Sequence, residues 1–505
     1  MKIVVIGQCS LHWGRMEFGN IGNYYIVEPL FRNLHNTFPK AKILTTMQMS
    51  DRFCNDEKII SVPLELYYCW KSDYIKDAQK ELKIAEHFLE TGKIETTTPF
   101  IDLVFDADLV IDFSGDIWGK NANFIGPNRF LIGLIKDRVA QIFAKKTAMI
   151  AGSPGPFTND QTLDFAKLVY SKFDIVTNRE QASSNLLNFL GFDVSSTHSL
   201  ACPAFEFKSA SNITLEDIDC YKNFKDKSQP LVGFVICGWN FERGPFDKKN
   251  RKISEFIKFA EIIEYHCNQL NCNVCLLSHS NGFETTPNKF KLTHGRDFDT
   301  LKQLESLLKK RSNCKNYILL DKLLTAWETK KIISQFDFLV SGRIHAAVAA
   351  LSQNVPAVII DYGHEPKAHK IKGFAQVVGV EDFVCNPHDL DDMISKITNC
   401  YYKLSEVKSH LESQNPKINN QIKQHFKVED YQIAYIGDDI IDLAPIKMAG
   451  FSCTVANALD IVKQKVDYTT KKHGGNGAVR EVIDLIIQDQ GFEQEILDFY
   501  ENLIE

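Results

Sequence analysis

Short apolar runs alternate with longer amphipathic stretches along most of the chain. The first run, Lys2–Ile6, ends in a glycine turn. The runs that follow lie close to Gly, Asp or Ser and are separated by segments of helical period: Lys42–Thr46, Leu109–Phe113, Ala148–Ala151 and Ile175–Thr177. This alternation predicts repeated β-α units, which build a mainly parallel sheet with helices on both faces.

A second series of the same kind begins after a polar stretch at residues 222–230. Its strand candidates are Leu231–Cys237, Val274–Ser278, Tyr317–Leu320, Phe338–Val340 and Ala357–Ile360. A polar, helical segment follows, and a last apolar run, Ile433–Ile436, opens a smaller unit. We therefore predict an α/β protein with two doubly wound, Rossmann-like domains at 1–220 and 221–400, a helical linker at 401–427 and a small α/β segment at 428–505. Two such sheets in tandem form a cleft at the carboxyl ends of their strands, where ligands bind.

Charge and cysteine content narrow the class of protein. Among 505 residues, 58 Lys and Arg balance 64 Asp and Glu to a net charge of −6, which indicates neither a nucleic-acid partner nor a polybasic membrane anchor. No window reaches about 18 apolar residues, so no membrane span is predicted. The 13 Cys residues lack a framework of spacings and several lie in apolar runs, as reduced core thiols do. We expect a cytoplasmic protein that handles small molecules.

The densest chemistry lies where the strand at Phe338–Val340 turns through Ser341 and Gly342 into a helix of small residues. Arg343 and His345 should occupy the first turn of that helix, where backbone amides and a guanidinium can bind a carboxylate or phosphate. We expect His345 to stand near that anion with its pKa raised, as a proton donor. The alternative is an Arg that caps or bridges elements and a His satisfied in the core.

Other candidates end strands or follow them in the same cleft. Arg179 follows Ile175–Thr177, and its alternative role is a salt bridge to Glu180. His279 ends the strand at Val274–Ser278 and could touch a ligand, although a structural role is the alternative. Lys367 lies in the loop after Ala357–Ile360, with a solvated surface lysine as its alternative.

The loop after the first strand contains Asn20 and Gly22. A glycine there allows a ligand to approach the backbone closely. Plain use of both residues in a turn is the alternative.

These residues resemble the polysaccharide pyruvyl transferase family. The resemblance spans about 400 residues and is carried by the turn of Ser341, Arg343 and His345 with Val355, Pro356, Tyr362 and Lys367 after it, and by segments in the family's order: Gly19–Asn23, Ala107–Ile111, Ser114–Asp116, Ser153–Phe157, Asn178–Glu180 with Ser183 or Ser184, and Ala201–Phe205.

The resemblance implies transfer of a pyruvyl group from phosphoenolpyruvate to two hydroxyls of a sugar, as a cyclic ketal, in the synthesis of cell-surface glycans. The donor carries a carboxylate and a phosphate, so two or more cationic groups must hold it, and we expect Arg343 and Arg179 with Lys367 as helper. His345 is the predicted acid, while Ser341, Asn20, Gly22 and His279 are predicted to contact substrate. The implied partners are phosphoenolpyruvate and a glycan or lipid-linked sugar acceptor. No cofactor is expected, and a Mg²⁺ requirement stays open.

Three positions depart from the family's pattern. The family usually has Asp where this chain has Asn23 and Cys202, and Asp after the arginine where this chain has Glu180. A neutral Asn23 can act neither as a base nor as a charged clamp for a sugar hydroxyl. Either the acceptor differs, or catalysis is weakened.

The C-terminal segment carries a different pattern. A strand ends in Gly437-Asp438-Asp439 with Asp442 close behind, a credible Mg²⁺ corner, and Gly474-Gly475-Asn-Gly follows. Residues 428–505 resemble the C-terminal half of the 3-deoxy-octulosonate 8-phosphate phosphatases of the haloacid dehalogenase superfamily. The Asp-x-Asp-Gly nucleophile that this superfamily needs is absent, so we expect an inactive segment that mediates assembly, for example as a homo-oligomer.

Two other readings remain open. The chain could be a glycosyltransferase on a similar two-domain fold of the GT-B type, using a nucleotide sugar. It could also be a non-catalytic scaffold, since Asn23, Cys202 and the incomplete tail all depart from an active enzyme.

Overall fold

The computed structural model describes residues 1–9, 12–68, 74–158, 161–241, 251–285, 287–362, 368–419, 434–494 and 496. The chain divides into two compact units, Met1–Asn419 and Asn420–Glu505, and each is described by itself.

The first lobe of the larger unit is a seven-stranded sheet in the order β3-β2-β1-β4-β5-β6-β7, and every neighbouring pair is parallel. Its strands are β1 Lys2–Ile6, β2 Lys42–Thr45, β3 Ile59–Ser61, β4 Leu109–Asp112, β5 Thr147–Gly152, β6 Ile175–Asn178 and β7 Thr197–Ser199. Its helices are α1 Ile21–Thr37, α2 Asp51–Asp56, α3 Tyr74–Thr91, α4 Pro99–Val104, α5 Arg129–Phe143, α6 Gln161–Tyr170 and α7 Gln181–Phe189.

The second lobe is a six-stranded parallel sheet in the order β12-β9-β8-β13-β14-β15, with a separate antiparallel hairpin β10-β11. The strands are β8 Leu231–Val235, β9 Asn273–Leu276, β10 Asn281–Glu284, β11 Lys291–His294, β12 Tyr317–Leu319, β13 Phe338–Ser341, β14 Ala357–Ile360 and β15 Val384–Cys385. The helices are α8 Ile257–Asn268, α9 Arg296–Arg311, α10 Ala326–Ile333, α11 Ile344–Leu351, α12 Ala368–Val378, α13 Leu390–Tyr402 and α14 Leu404–Asn419.

Burial on both faces explains why the central strands are nearly continuous apolar runs. In β1, Ile3 and Val5 belong to one hydrophobic core and Val4 and Ile6 to another, on the opposite face of the sheet. A parallel sheet covered by helices on both sides has this requirement. The predicted pair of doubly wound sheets is confirmed.

The strands that were not predicted are short, polar or at an edge. β7, with the sequence Thr-His-Ser, and the hairpin β10-β11 carry too few apolar residues to stand out. Helix α14, which falls in the predicted linker, packs against α12 and α13 and buries Leu411.

The smaller unit contains a three-stranded parallel sheet, β16 Ala434–Ile436, β17 Phe451–Thr454 and β18 Tyr468–Thr469, in that order. Its helices are α15 Leu443–Met448, α16 Asp460–Lys463 and α17 Ala478–Gln490. A small cluster of Val455, Ala458 and Ala478 forms its core. Across the described residues of both units, no helix is long and apolar enough to cross a membrane.

Candidate active site

A cavity of about 1010 Å³ lies at the carboxyl ends of both large sheets. The turns that follow β1, β4 and β6 line it from the first lobe, and those after β9, β13 and β14 line it from the second. Its lining includes six cationic side chains: Arg15, Arg179, Arg251, Arg296, Arg343 and Lys370. The predicted cleft therefore exists, and it is rich in positive charge.

Arg343 is the N-cap residue of α11, one position before the predicted first turn, but its guanidinium is already engaged. Its Nε and Nη2 donate to the two carboxylate oxygens of Asp297 at 2.9 and 2.6 Å. Burial by itself would lower the pKa of Arg343, but the buried Asp297 carboxylate outweighs it and raises that pKa. The expected bidentate grip is thus made on a protein carboxylate.

Ser341 shapes the turn in front of Arg343. Its hydroxyl donates to the Arg343 carbonyl at 2.9 Å and accepts from the Arg343 amide at 3.1 Å. The residue is fully buried and is not part of the cavity lining. The structure therefore places Ser341 in support of the turn rather than in substrate contact, because both hydrogen-bonding capacities of its hydroxyl are used locally.

His345 lies in the cavity wall, against the other lobe. A Cβ added at Gly22 in α1 would stand 2.5 Å from the His345 ring, so only glycine leaves room for it. The ring Nε2 is buried and has no hydrogen-bond partner among the residues that the structure describes. Burial lowers the pKa of His345 well below its usual value, and the cations Lys370 and Arg179 lower it further. The expectation of a raised pKa is therefore wrong, because burial and the neighbouring cations both disfavour the charged imidazole.

Arg179 is the counterpart of Arg343 in the first lobe, at the end of β6. It is 5 % exposed, and its Nε and Nη2 have no hydrogen-bond partner within the described part of the chain. Burial opposes its charge, but Cys202, Glu180 and Asp116 more than compensate, so the pKa of Arg179 is raised. Its charge is therefore retained at a buried position that faces the cavity.

Glu180 holds the neighbouring loop in place. Its Oε1 accepts hydrogen bonds from the hydroxyls of Ser153 and Ser183. This carboxylate thus ties the segment after β5 to the first turn of α7, a positioning role that its burial supports.

An ion pair joins the two lobes across the cavity. Lys370 Nζ, from α12, donates to Asp116 Oδ2 at 3.0 Å, and Asp116 follows β4 in the first lobe. Lys370 thus reaches the cavity wall from α12. Lys367 lies outside the described residues.

The loop before α1 is a helix cap. Asn20 Oδ1 accepts from the Gly22 amide at 3.2 Å, and its Nδ2 donates to Asn23 Oδ1 at 3.0 Å. Asn20 and Asn23 also line the cavity. The close approach that Gly22 permits is made by His345, where the sequence suggested a ligand.

His279 follows β9 and is completely buried in the cavity wall. Neither ring nitrogen has a hydrogen-bond partner among the described side chains and backbone, and the ring packs edge-on against Tyr25. Burial, followed by the charge of Arg343, lowers the pKa of His279 to about 3. The imidazole is therefore neutral.

Sequence reasoning missed Arg15, Arg296 and Asp297 as members of the site. Arg15 begins a π-helical turn at Arg15–Gly19, and Arg296 and Asp297 begin α9. Arg15 lies well beyond the end of β1, and Arg296 and Asp297 follow β11, a polar hairpin strand that the sequence did not predict. The strand-end signal that found Arg179 and Arg343 therefore could not find them. A charged residue in the first turn of a polar helix looks like an ordinary solvent-facing residue.

The acidic corner of the smaller unit is internally satisfied. Asp442 accepts hydrogen bonds from the amides of Asp438 and Asp439, at 2.9 and 3.0 Å, and from the Tyr435 hydroxyl at 2.8 Å. Asp439 in turn accepts from the Ile440 amide. Within the described ranges, no group of three His, Cys, Asp or Glu side chains could hold a metal ion. The suggested Mg²⁺ corner is therefore built as a capped turn.

Curated relatives match only a short part of the chain. A 3-deoxy-D-manno-octulosonate 8-phosphate phosphatase KdsC of Haemophilus influenzae is 50% identical over 60 residues, which is 12% of this chain and 33% of that protein. The enzyme of the same name from Escherichia coli K12 is 46% identical over 59 residues, 12% of this chain and 31% of that protein. The chain thus spans about a third of the length of these relatives.

Solved structures match at low identity. A glycosyltransferase from Rickettsia africae aligns with a TM-score of 0.49 and 10% identity, over 83% of this chain and 93% of that one. A UDP-GlcNAc 2-epimerase from Neisseria meningitidis aligns with a TM-score of 0.46 and 11% identity, over 85% and 100%.

Two family models match separate parts of the chain. A model described as haloacid dehalogenase-like hydrolase matches residues 391–483. A model described as polysaccharide pyruvyl transferase matches residues 20–364, which include every turn that lines the cavity from β4 to β14. This chain belongs to the polysaccharide pyruvyl transferase family, with a haloacid dehalogenase-like segment at its C-terminal end.

Proposed function

We propose that this protein transfers a pyruvyl group from phosphoenolpyruvate to two hydroxyls of a sugar and releases phosphate. One observation carries the proposal: Arg179 from one lobe and Lys370 from the other flank an imidazole, His345, whose Nε2 has no described partner in a cavity large enough for donor and sugar together. Family membership supports a transferase that acts on polysaccharide.

The charges suit a small donor with two anionic groups. Arg179 presents Nε and Nη2 without a described partner, and a planar guanidinium edge of this kind matches a carboxylate in a bidentate manner. Its burial strengthens the interaction, because a buried charge is poorly screened by water. An anionic donor would fill both nitrogens with ion-pair hydrogen bonds, which are stronger than those that a neutral sugar hydroxyl would accept.

The reaction proceeds in two steps, an addition to the double bond of the donor and a substitution that displaces phosphate. In the first, protonated His345 gives its proton to the methylene carbon of the donor, and a sugar hydroxyl bonds to the central carbon while its own proton returns to the imidazole. In the second, the neighbouring hydroxyl bonds to the same carbon as the carbon–oxygen bond to phosphate breaks. The second hydroxyl proton leaves with the phosphate, so one imidazole serves both as acid and as base.

The neutral resting state of His345 fits this sequence. Burial, together with Lys370 and Arg179, keeps the imidazole uncharged. An anionic donor placed between these cations reverses the local potential and raises the pKa of His345, because a nearby negative charge favours the imidazolium. The acid is therefore formed where and when the donor is bound.

We also propose that the C-terminal segment has no phosphatase activity of its own. It lacks the Asp-x-Asp-Gly nucleophile, and Asp442 caps its own loop. Hydrolysis of a generic phosphate monoester by the full chain, abolished by Asp438→Asn, would contradict this. We further propose a cytoplasmic location and an assembly role for this segment. An oligomer in size-exclusion chromatography that persists after removal of residues 428–505 would contradict the assembly role.

The test is phosphate release from phosphoenolpyruvate with a panel of glycan acceptors, for the natural sequence and for His345→Ala. A general acid typically contributes 10²- to 10⁴-fold, so we expect a loss of about that size. His87→Ala, at a half-exposed position of α3, is the matched control and should retain full activity.

A binding screen separates the competing functions. Stabilisation against heat by phosphoenolpyruvate supports the transferase proposal. Stabilisation by a nucleotide sugar alone would favour a glycosyltransferase, and stabilisation by neither, with no phosphate release, would leave a scaffold.

A further inference from the structure

Four aromatic side chains form a cluster beside the cavity, which we call the aromatic corner: Trp13, Phe18, Phe283 and Phe290. The first two belong to the first lobe, at the turn Arg15–Gly19, and the other two belong to the hairpin β10-β11 of the second lobe. The centroid of the Trp13 ring system lies between 5.6 and 6.0 Å from those of the other three rings. The aromatic corner therefore contains rings from both lobes, in mutual contact.

The inner half of the aromatic corner touches the cavity wall. Phe283 directly follows Gly282, which lines the cavity, and a Cβ added at the cavity-lining Gly19 would stand 3.6 Å from the Phe283 ring. Gly14 has a φ of +78°, and a Cβ there would come within 2.8 Å of the same ring. The turn and the hairpin are thus in close contact, and the corner lies next to the cavity.

The outer half of the aromatic corner is open to solvent. Trp13 is 37 % exposed and Phe290 is 48 % exposed, whereas Phe18 and Phe283 are half-buried. The Trp13 and Phe290 rings meet edge-on, with an interplanar angle of 82°, so they form two walls at nearly a right angle. Exposed polar residues flank the two rings in the sequence: His12, Asn288, Lys289 and Lys291. Adjacent exposed rings with a polar rim, next to a cavity, indicate a place that a ligand covers.

A sugar ring suits two aromatic walls of this size. One face of a pyranose ring presents C–H groups, which pack on the face of an aromatic side chain, while the hydroxyls at the edge of the sugar stay hydrated. Family membership supports a polysaccharide substrate. The small, doubly charged donor has no apolar face of this kind, so the acceptor is the ligand that fits the corner.

Two other uses of the aromatic corner agree less well with its geometry. A joint between the lobes is already made by Phe18 and Phe283, whose half-buried rings lie 6.1 Å apart, and such a joint needs no exposed rings. A membrane-binding surface needs a broad apolar face. The corner exposes Trp13 and Phe290, which together match the size of a single sugar ring.

We propose that Trp13 and Phe290 form a subsite for the sugar ring that neighbours the reactive sugar in the acceptor glycan. The inference rests on the proposed function, which puts the reactive sugar in the cavity. The next ring of the chain then packs on the aromatic corner. The acceptor class is therefore a glycan of two or more rings, and a monosaccharide fills only part of the site.

The experiment measures the binding of single and paired sugars to the full chain by calorimetry. The probes are the methyl glycosides of galactose, glucose, mannose and N-acetylglucosamine and the 1,4-linked disaccharide of each. We expect at least one disaccharide to bind about tenfold more tightly than its methyl glycoside, because it adds an aromatic contact. Trp13→Ala and Phe290→Ala should each remove most of this gain and leave methyl glycoside binding unchanged. No gain for any of the four disaccharides overturns the subsite.

Two further variants separate stacking from damage to the fold. Trp13→Phe keeps an aromatic ring and should retain part of the gain. Phe189→Ala removes an aromatic side chain that is 85 % exposed on α7, outside the cavity lining, and is the matched control that should bind all probes as the natural protein does. The melting temperature of each variant is measured alongside.

The two other uses of the corner predict different results. If the rings only join the lobes, Trp13→Ala weakens the methyl glycoside, the disaccharide and phosphoenolpyruvate alike, and this result overturns the subsite. If they bind a membrane, Trp13→Ala abolishes binding to phosphatidylglycerol vesicles and leaves the disaccharide gain unchanged, which also overturns it.

Failure of the subsite and failure of the proposed function are distinguishable. Phosphate release from phosphoenolpyruvate with a disaccharide acceptor whose KM is unaltered in Trp13→Ala overturns the subsite and leaves the transferase intact. A disaccharide gain that depends on Trp13 and Phe290, in a protein that neither binds nor consumes phosphoenolpyruvate, keeps the subsite and overturns the donor.

Discussion

The turns that contain Arg179 and Arg343 look alike in sequence, but the two guanidiniums differ in their partners within the protein. Arg179 and Arg343 each follow a central parallel strand, β6 and β13, at the carboxyl edge of a doubly wound sheet. Arg343 is paired in a bidentate manner with Asp297, whereas Arg179 keeps two nitrogens without a described partner. The position of an arginine in the fold is thus insufficient to assign its role, because the role depends on whether the protein supplies a carboxylate.

The largest expected effect comes from removing Arg179, whose Nε and Nη2 have no described hydrogen-bond partner. Arg179→Met should lower kcat/KM for phosphoenolpyruvate by about 10³-fold, the upper range for loss of one preorganised donor. Its melting temperature should be unchanged or higher, since methionine replaces a buried guanidinium whose hydrogen bonds are incomplete. Steady-state kinetics with differential scanning calorimetry measures both. A variant that is fully active would remove Arg179 from the site.

Replacing Arg343 should affect stability more than activity. Arg343→Met leaves Asp297 buried without its partner, and breaking a buried pair costs about 3 kcal/mol at the lower end of the usual range. We expect the lower end because Arg15 also acts on Asp297. Chemical denaturation measures the loss, and the double variant with Asp297→Asn should recover most of it. Equal stability of the single variant and the natural protein would show that the pair is not structural.

Giving Arg179 a carboxylate partner should make it resemble Arg343. Cys202 lies beside the Arg179 guanidinium and is buried. Cys202→Asp should form an ion pair there and raise the KM for phosphoenolpyruvate about tenfold, one pKa unit's worth of interaction energy. Cys202→Ser keeps the site neutral and serves as control. A lower KM in the Asp variant would mean that this carboxylate positions Arg179 for the donor.

The smallest expected effect is the number of protons taken up when the donor binds, which is at most one. Because burial, with Lys370 and Arg179, depresses the pKa of His345, the free imidazole is neutral at pH 7.5, and donor binding should draw up to one proton from solution. Calorimetry in two buffers of different ionisation enthalpy measures this uptake, at a pH above the phosphate pKa of about 6. Arg179→Met raises the pKa of the free imidazole and should reduce the uptake. Proton release on binding would contradict the proposed acid.

The pKa of His345 should also determine how kcat and kcat/KM depend on pH. The proton is needed in the complex but absent from the free protein, so kcat/KM should fall about tenfold per pH unit above the low free-state pKa. The plateau of kcat should extend to higher pH, because the bound donor raises the pKa of His345. Coincident profiles would indicate that the donor does not change the imidazole.

The apolar pattern of the sequence was enough to predict the central strands of both large sheets and the residues that follow them. Lys2–Ile6 and Ala357–Ile360 coincide with β1 and β14, because burial on both faces demands continuous apolar residues. Asp297 could not be predicted as the partner of Arg343, since the two lie 46 residues apart and meet only through the packing of α9. The predicted direction of the His345 pKa was wrong for the same reason, since that pKa depends on burial and on cations that only the tertiary structure brings together.

Gly22 makes the position of the imidazole depend on both lobes. The ring of His345, in α11, occupies the space beside the α1 backbone that a side chain at position 22 would fill. Any hinge motion that opens the cleft must therefore move the α1 backbone away from the His345 ring, and closing must restore that contact. Substitution of Gly22 by alanine would wedge the lobes apart, so a residue with no functional group of its own sets how tightly the enzyme can shut.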